Sequence, residues 1–395
     1  MSLYLIKLGK VIAAVKRDGF LRASRRIWSA IIVSLRPVGS GDILFISGGV
    51  GDSALYRTTH VAEELGFNGF RCAVTVQDNP FLLRYVDRFS VFVFHRTLCT
   101  ARIKKLMDMI KSKGKEIIFE TDDLVYDPQY LIYMDYFQKM NELEKKLYEN
   151  GVGGEILRDK YVKVATTTTA FLAEKLREEG KIVIIVPNKL SAQDVKDAEI
   201  ALQNVKKDPA KIRLGYFSGT ISHNKDFATI TDALVRIMEK YAHVELLLVG
   251  PLDVDNILVQ KFKERIVQLP YAPRAKHFAN IAQCDINLAP LEPINPFCEA
   301  KSELKFFEAG IVKVPTVAVS NQTFREAIHN GVDSYVARGT EEWVAKIAHL
   351  IEDEKLRKSM GDRAYHKSVM QYTTKNSKNL VYYDFLKGNV YNSEK

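Results

Sequence analysis

The chain has 395 residues, 47% of them hydrophobic and 27% charged, with a formal net charge of +9. That length exceeds what one core usually serves, so two domains are expected, and the composition excludes disordered, fibrous and multi-span membrane classes. Seven of the nine net positive charges fall in residues 1–40, where Lys7, Lys10, Lys16, Arg17, Arg22, Arg25, Arg26 and Arg36 stand against Asp18 alone; the nearly neutral remainder excludes a nucleic-acid footprint spread over a domain face.

Residues 1–40 open the chain as a basic amphipathic helical segment. Phe20, Ile27, Trp28, Ile31 and Leu35 recur at helical spacing while Arg22, Arg25 and Arg26 lie mostly elsewhere. The apolar runs Leu3 to Val15 and Ile27 to Leu35 are too short to cross a bilayer, and no small-residue cleavage site follows them, so a signal peptide is not expected. Two readings stay open. Residues 1–37 lie on an anionic membrane surface as a peripheral contact, or they pack on the protein's own first domain with their charges solvated. Cys72, Cys99, Cys284 and Cys298 have neither metal-like spacing nor the density of a disulfide framework, which implies a reducing, cytoplasmic setting.

From Gly41 onward short β-rich runs alternate with helical stretches, the pattern of parallel α/β sheets covered on both faces. The first domain, residues 41–205, is predicted to hold strands at Ile43 to Ser47, Arg71 to Val76, Val91 to His95, Glu116 to Glu120, Lys163 to Thr167 and Ile182 to Val186. Helices are predicted at Tyr130 to Tyr148 and Ala170 to Glu179, and the polar stretch Ser191 to Lys211 reads as a connection. The second domain, residues 206–371, is predicted to hold strands at Arg213 to Phe217, Val244 to Val249, Ile266 to Leu269, Asp285 to Leu288, Pro315 to Val319 and Ser334 to Ala337. Its helices are predicted at Phe227 to Tyr241, Ala275 to Ala282 and Glu303 to Ala309. A final helical stretch, Asp353 to Leu386, breaks near Tyr372 to Thr374, and residues 372–395 are expected to rejoin the first domain.

Chemistry-bearing residues gather at the carboxyl ends of the predicted strands, where open α/β sheets bind ligands. The first strand ends in Ser47-Gly48-Gly49-Val50-Gly51-Asp52-Ser53, a glycine-rich turn into a helix that favours an anion. Gly51 is the candidate contact there, with Tyr56 and Arg57 adding a cation farther into the helix. The glycine spacing is not the dinucleotide fingerprint, and no acidic residue closes the second strand, so NAD binding is not expected. The third strand runs into His95 and Arg96, the fourth into Glu120-Thr121-Asp122-Asp123. Such crowded carboxylates serve a cation, a substrate hydroxyl or a helix N-terminus; Asp122 and Asp123 are the candidates for function, with helix capping as the alternative.

In the second domain the first strand leads into Ser218-Gly219-Thr220, followed by His223, Lys225 and Asp226; backbone amides at Gly219 and Thr220 can approach a pyrophosphate closely. Farther on, Lys301, Lys305 and Glu308 share one face if a helix starts near Lys301. Two cations beside a carboxylate suit a diphosphate next to a ribose diol.

Ser218-Gly219-Thr220 with His223 and Asp226-Phe227, the run Asp285-Ile286-Asn287-Leu288-Ala289-Pro290-Leu291, and Lys301-Ser302-x-x-Lys305-x-x-Glu308-Ala309 together resemble group 1 glycosyltransferases of the family-four type. Tyr56-Arg57, His95-Arg96 and Glu120-Thr121-Asp122-Asp123-Leu124 resemble the same subgroup, which acts in bacterial or archaeal surface polysaccharide assembly. The resemblance spans roughly residues 41 to 370. It implies the GT-B architecture, two Rossmann-like domains facing across a cleft, and retaining transfer from a nucleotide diphosphate sugar to a lipid-linked or glycan acceptor without an obligatory metal. Glu120-x-Asp122 also resembles the metal-binding Asp-x-Asp pattern of the single-domain transferase architecture, but two successive α/β domains argue against that assignment.

On this resemblance Gly51, Ser218, Gly219, Thr220, His223, Lys225, Ser302 and Glu308 bind the donor, Asp122, Asp123, His95, Lys301 and Lys305 serve the reaction, and Tyr56, Arg57 and Arg96 serve the acceptor or phosphate side. The family's Glu-x7-Glu signature is matched at its second position by Glu308. Its first position falls on Ala300, with Glu299, Lys301 and Ser302 as candidate replacements. A sugar-nucleotide 2-epimerase and a non-catalytic nucleotide-sugar-binding protein are the other readings that the architecture admits.

Overall fold

The computed structural model describes residues 32–134, 137, 140–146, 148–219, 224–253 and 256–392. It divides into a first unit, Met1–Lys189 with Lys378–Lys395, and a second unit, Leu190–Ser377. The expected basic helical segment falls largely on residues 1–31, which lie outside the described residues; within it, residues 32–35 form a helical turn with Ile32 and Leu35 exposed.

The first unit is a six-stranded parallel sheet of β1 (Ile43–Ser47), β2 (Cys72–Val76), β3 (Val91–His95), β4 (Glu116–Glu120), β5 (Val164–Thr167) and β6 (Ile182–Ile185), in the order β2-β1-β3-β4-β5-β6. Because successive strand side chains alternate between faces, Ile43, Phe45, Val91, Val93, Ile118 and Val164 line one face. That face is covered by Val61 and Leu65 of α1 (His60–Phe67) and by Tyr382 and Leu386 of the last helix, Leu380–Asn392. Each such aliphatic or aromatic side chain contributes roughly 1.5 to 3 kcal/mol by leaving water. On α2 (Ala101–Ser112), which packs on β4, Ile103, Leu106, Met107 and Ile110 recur at helical spacing and are buried.

Ahead of α1 the chain passes through the turn Asp52–Ala54 and a π-helical turn, Leu55–Thr59. An ordinary helix turns 100° per residue and hides three consecutive side chains poorly; this wider turn buries Tyr56, Arg57 and Thr58 together. A chain of buried polar contacts then ties this helical stretch to both segments that join the first unit to the second. His60 Nδ1 donates to Lys189 O at 2.7 Å, Lys189 Nζ pairs with Glu64, the Tyr383 hydroxyl also donates to Glu64, and Asn379 Nδ2 donates to Ile185 O at 2.8 Å.

The second unit repeats the plan with β7 (Ile212–Phe217), β8 (Val244–Val249), β9 (Ile266–Leu269), β10 (Ile286–Ala289), β11 (Thr316–Val319) and β12 (Tyr335–Ala337), all parallel, in the order β12-β11-β10-β7-β8-β9. Its helices include α3 (Ala192–Asn204), α4 (Thr231–Lys240), α5 (Arg274–Ala282), α6 (Leu304–Gly310), α7 (Gly339–Glu352) and α8 (Glu354–Gln371). Leu214, Tyr216, Leu246, Leu248, Ile286, Leu288 and Val317 form a core with Leu234 and Ile237 of α4 and Trp343 and Ile347 of α7.

The twelve expected strands are present to within one residue at either end, and the helical break near Tyr372 falls between α8 and the last helix. Three expectations differ. The helix expected over Phe227 to Tyr241 is divided by a turn into Asn224–Ala228 and α4. Tyr130 to Tyr148 is not one helix: Asp127 caps a 3-10 turn, Pro128–Tyr133, whose Pro128 fixes a tight start, and Glu142–Lys145 is a separate short α-helix beyond it. The supposed connection Ser191 to Lys211 contains α3, because Ser191 and Asp194 form a reciprocal capping box.

Candidate active site

In each unit the strand order reverses at one place, and there the loops leaving neighbouring strands part to open a crevice. In the first unit that point lies between β1 and β3. Ser47, His95 and Glu120, the last residues of β1, β3 and β4, form a row with Thr166, one residue before the end of β5. The turn after β1 passes so close to the one after β3 that a methyl group on Gly48 would stand 1.9 Å from Arg96 O. Gly51, at φ 145° and ψ −175°, holds a conformation open essentially to glycine alone and starts the helix that carries Ser53.

Around this row the structure gathers His95, Arg96, Asp122 and Asp123. Arg96 adopts a left-handed backbone at φ 44°, which costs on the order of 1–3 kcal/mol and aims its side chain between the two aspartates. Its Nε stands 2.6 Å from Asp122 Oδ1 and its Nη2 2.5 Å from Asp123 Oδ2. Ser53 Oγ donates to Asp122 Oδ2 at 2.8 Å and lies 3.2 Å from His95 Nε2; Ser47 Oγ lies 3.2 Å from His95 Nδ1 and donates to Gly49 O at 2.7 Å. Each hydroxyl has one proton, already given to Asp122 or Gly49, so both ring nitrogens of His95 face acceptor lone pairs. The sequence reading missed Ser47 and Ser53, although both flank the glycine-rich turn.

Burial opposes charge on Asp122, yet Arg96, His95 and Arg57 together hold its carboxyl well below the usual carboxylate range. Burial raises Asp123 and Glu120, partly offset by Arg96 and Arg57 respectively. Tyr56 and Arg57, expected to face a ligand, are buried instead: Tyr56 packs edge-on against His60, and Arg57 donates to Glu120 Oε1 at 2.8 Å, Val186 O at 2.7 Å and Asn188 Oδ1 at 3.0 Å. A carboxylate at the buried end of β4 needs an internal cation, and Arg57 is that cation.

In the second unit the reversal lies between β7 and β10. Lys305, on α6, donates from Nζ to Phe217 O at the end of β7, and the same nitrogen sits 4.3 Å from the centre of the Tyr216 ring. Burial lowers the Lys305 ammonium to about 8, against the opposing charge of Asp226. The chain continues into Ser218, which is buried, and Gly219, which is exposed with open space where a side chain would stand. Lys225 is exposed on the short helix Asn224–Ala228. Thr220 and His223 lie outside the described residues.

Lys301 does not share the helix face of Lys305 and Glu308. The helix starts only at Leu304, because Pro296–Glu299 forms a separate short helix capped by Asn295 and the intervening residues join the two. Lys301 Nζ donates instead to Asp226 Oδ2 at 2.8 Å, and Asp226 Oδ1 accepts from Glu292 N at 2.9 Å and Cys298 Sγ at 3.2 Å. Ala300, at the position of the family's first glutamate, is fully buried, with Glu299 and Ser302 half-buried beside it.

Glu308 is largely buried, and both its oxygens meet donors from α5: Arg274 Nη1 at 3.2 Å from Oε1 and His277 Nε2 at 3.1 Å from Oε2. Sequence reading missed Arg274 and His277, whose three-residue spacing at the head of a helix after Pro273 was the available signal. Among the described residues no group of three or more His, Cys, Asp or Glu side chains is placed to hold a metal ion.

A family model described as Glycosyl transferases group 1 matches residues 212–353, spanning β7 to the end of α7. No curated protein sequence matches the chain. Among solved structures, a glycosyltransferase from Rickettsia africae is similar at TM-score 0.61 and 15% identity, covering 89% of this chain and 100% of that one. HepE from Anabaena in complex with UDP is similar at 0.57 and 13%, covering 88% and 100%. A sucrose-phosphate synthase from Thermosynechococcus elongatus is similar at 0.57 and 12%, covering 89% and 98%. At these identities the likeness is one of fold. With two parallel six-stranded Rossmann-like units, the chain has the GT-B fold, and its second unit carries the match to group 1 glycosyl transferases.

Proposed function

We propose that the chain transfers a glycosyl group, with retention, from a nucleoside diphosphate sugar to a lipid-linked or polysaccharide acceptor in cell-envelope polysaccharide synthesis. The observation that carries this reading is the Lys305 ammonium fixed against Phe217 O, one residue before the open turn at Ser218 and Gly219. Amides of that turn and the cations Lys301 and Lys305 suit a diphosphate, with Lys225, Thr220 and His223 following the turn closely in sequence. Glu308 suits the ribose diol, since a carboxylate accepts from both hydroxyls. Ser302 and Glu299 stand in for the sugar contact that Ala300 cannot make.

As the glycosidic bond breaks, negative charge grows on the leaving phosphate, and fixed cations and amides stabilise that charge more than they stabilise bound donor. The phosphate oxygen takes the acceptor proton, so no protein base is required. His95, Asp122, Asp123 and Arg96, with the anion-favouring turn at Gly51, orient acceptor and donor hydroxyls in the first unit. The complex of HepE with UDP supports a uridine nucleotide as the first donor class to try.

Among the described residues no helix is long and apolar enough to cross a membrane. We place the protein on the cytoplasmic face of an anionic membrane through residues 1–37. Screening hydrolysis of UDP-, GDP- and dTDP-sugars tests the donor assignment, and proton NMR of the first-formed product gives the anomeric outcome. Hydrolysis of none, or an inverted anomer, would reject the corresponding part of the proposal.

A further inference from the structure

Arg274 opens α5 with its guanidinium shared between two carboxylates on different helices. Its Nε donates to Asp194 Oδ1 of α3, and its Nη1 donates to Glu308 Oε1 of α6 at 3.2 Å. Asp194 is held in turn, for its Oδ2 accepts the Ser191 amide at 2.9 Å and its own amide donates to Ser191 Oγ at 3.1 Å. The guanidinium carbon also lies 5.3 Å from the centre of the Phe278 ring. A planar fork fixed at one tine has little freedom at the other. One turn along α5, His277 Nε2 meets Glu308 Oε2, and the His277 ring packs edge-on to Phe217 with centres 5.5 Å apart. Both oxygens of Glu308 are therefore referred to α5, and through Arg274 to the capped start of α3.

We infer that Arg274 is a positioning residue that sets the plane and the charge of the Glu308 carboxylate for ribose recognition, an inference that rests on the ribose role given to Glu308 above. A carboxylate this buried keeps its charge at a cost unless a cation stands beside it. A correctly aimed carboxylate accepts from two vicinal hydroxyls, whereas a rotated or protonated one loses the second. Lysine at position 274 would supply charge without the fork and could not hold Asp194 and Glu308 in one plane.

The test uses the full chain and calorimetry. UDP, GDP, ADP and CDP are titrated first, and the tightest is then compared with its 2′-deoxy form in the parent, E308Q, R274Q and R274K, with circular dichroism to establish folding. The parent is expected to favour the ribonucleotide by roughly tenfold or more, and both Arg274 variants to shrink that preference to within about threefold. A preference in R274Q and R274K equal to the parent's overturns the inference, even if both bind more weakly overall. If E308Q also keeps the parent's preference, the ribose role of Glu308 fails instead; if only E308Q loses it, Arg274 alone is misassigned. Should R274Q and R274K not fold, D194N keeps both Arg274 and Glu308 and removes the outer anchor. It should lower the preference by about twofold to fivefold, and an unchanged ratio overturns the inference. Binding of none of the four nucleotides rejects the donor site and the inference with it.

Discussion

Arg57 Nε donates to Glu120 Oε1 at 2.8 Å inside the first unit, and neither side chain reaches solvent appreciably. Glu120 belongs to the row across the strand ends, between His95 and Thr166, and Thr166 donates to its other carboxylate oxygen. Replacing Arg57 by Met leaves a buried carboxylate without its cation, which should destabilise the unit by about 3–5 kcal/mol. Joint replacement of Arg57 by Met and Glu120 by Leu should cost less than R57M alone, because no charge is then stranded. Urea unfolding of the three proteins measures this, and a double variant less stable than R57M would contradict it.

Lys305 gives the proposed nucleotide site a pH dependence. Its folded pKa of about 8 lies below the usual 10.5, so the folded protein holds fewer protons than the unfolded chain between those values and gains stability there as pH rises. Binding runs the other way, since a diphosphate favours the ammonium. Above pH ~8 binding must take up a proton, and the dissociation constant should rise toward tenfold per pH unit. Titrations between about pH 7.5 and 9.5 in buffers of different ionisation enthalpy count that proton. Lys305→Met should remove both the slope and the proton uptake, and a parent whose affinity is flat over this range would exclude Lys305 from the diphosphate contact.

Asp122 is linked to Ser53 at 2.8 Å and to Arg96 at 2.6 Å in the first unit, while the proposed donor contacts stand in the second. Asp122→Asn should lower turnover by about 10- to 1000-fold and leave the nucleotide dissociation constant within about twofold, the mark of a group that acts on the reaction rather than on donor binding. Loss of donor affinity in a folded D122N protein would place Asp122 elsewhere.

Residues 36–38 are bound to the body of the first unit: Asn79 Nδ2 donates to Arg36 O at 3.0 Å, and Val38 N donates to Tyr85 Oη at 3.2 Å. A truncation that removes only residues 1–31 therefore spares these contacts. It should abolish sedimentation with phosphatidylserine vesicles and leave donor hydrolysis unchanged, and added salt should weaken the parent's binding in part. Full sedimentation of the truncated protein would reject the membrane role.

The strands were readable because each is a short apolar run closed by a turn residue, a local signal that parallel burial on both faces makes nearly continuous. The polar cluster at His95, Arg96, Asp122 and Asp123 was readable for the same reason, as the residues that follow strand ends. What resisted reading was direction. Arg57 lies on an amphipathic stretch that a regular helix would leave partly exposed, and only the π-helical turn brings it inward to Glu120. Lys301 and Lys305 fit one helical face on spacing alone, but Asn295 and Pro296 start a separate helix and send Lys301 to Asp226. Arg274 and His277 carry no motif and gain meaning only when α5 is laid beside Glu308.

The first unit is built from two stretches of chain separated by the whole of the second, and its sheet is covered in part by the helix Leu380–Asn392. During synthesis, residues 190–377 can complete their own core while the earlier sheet still lacks Tyr382 and Leu386. The first-made unit is thus the last to mature, and until then its apolar face around Ile43, Phe45 and Val93 stays open to chaperones and to mispairing.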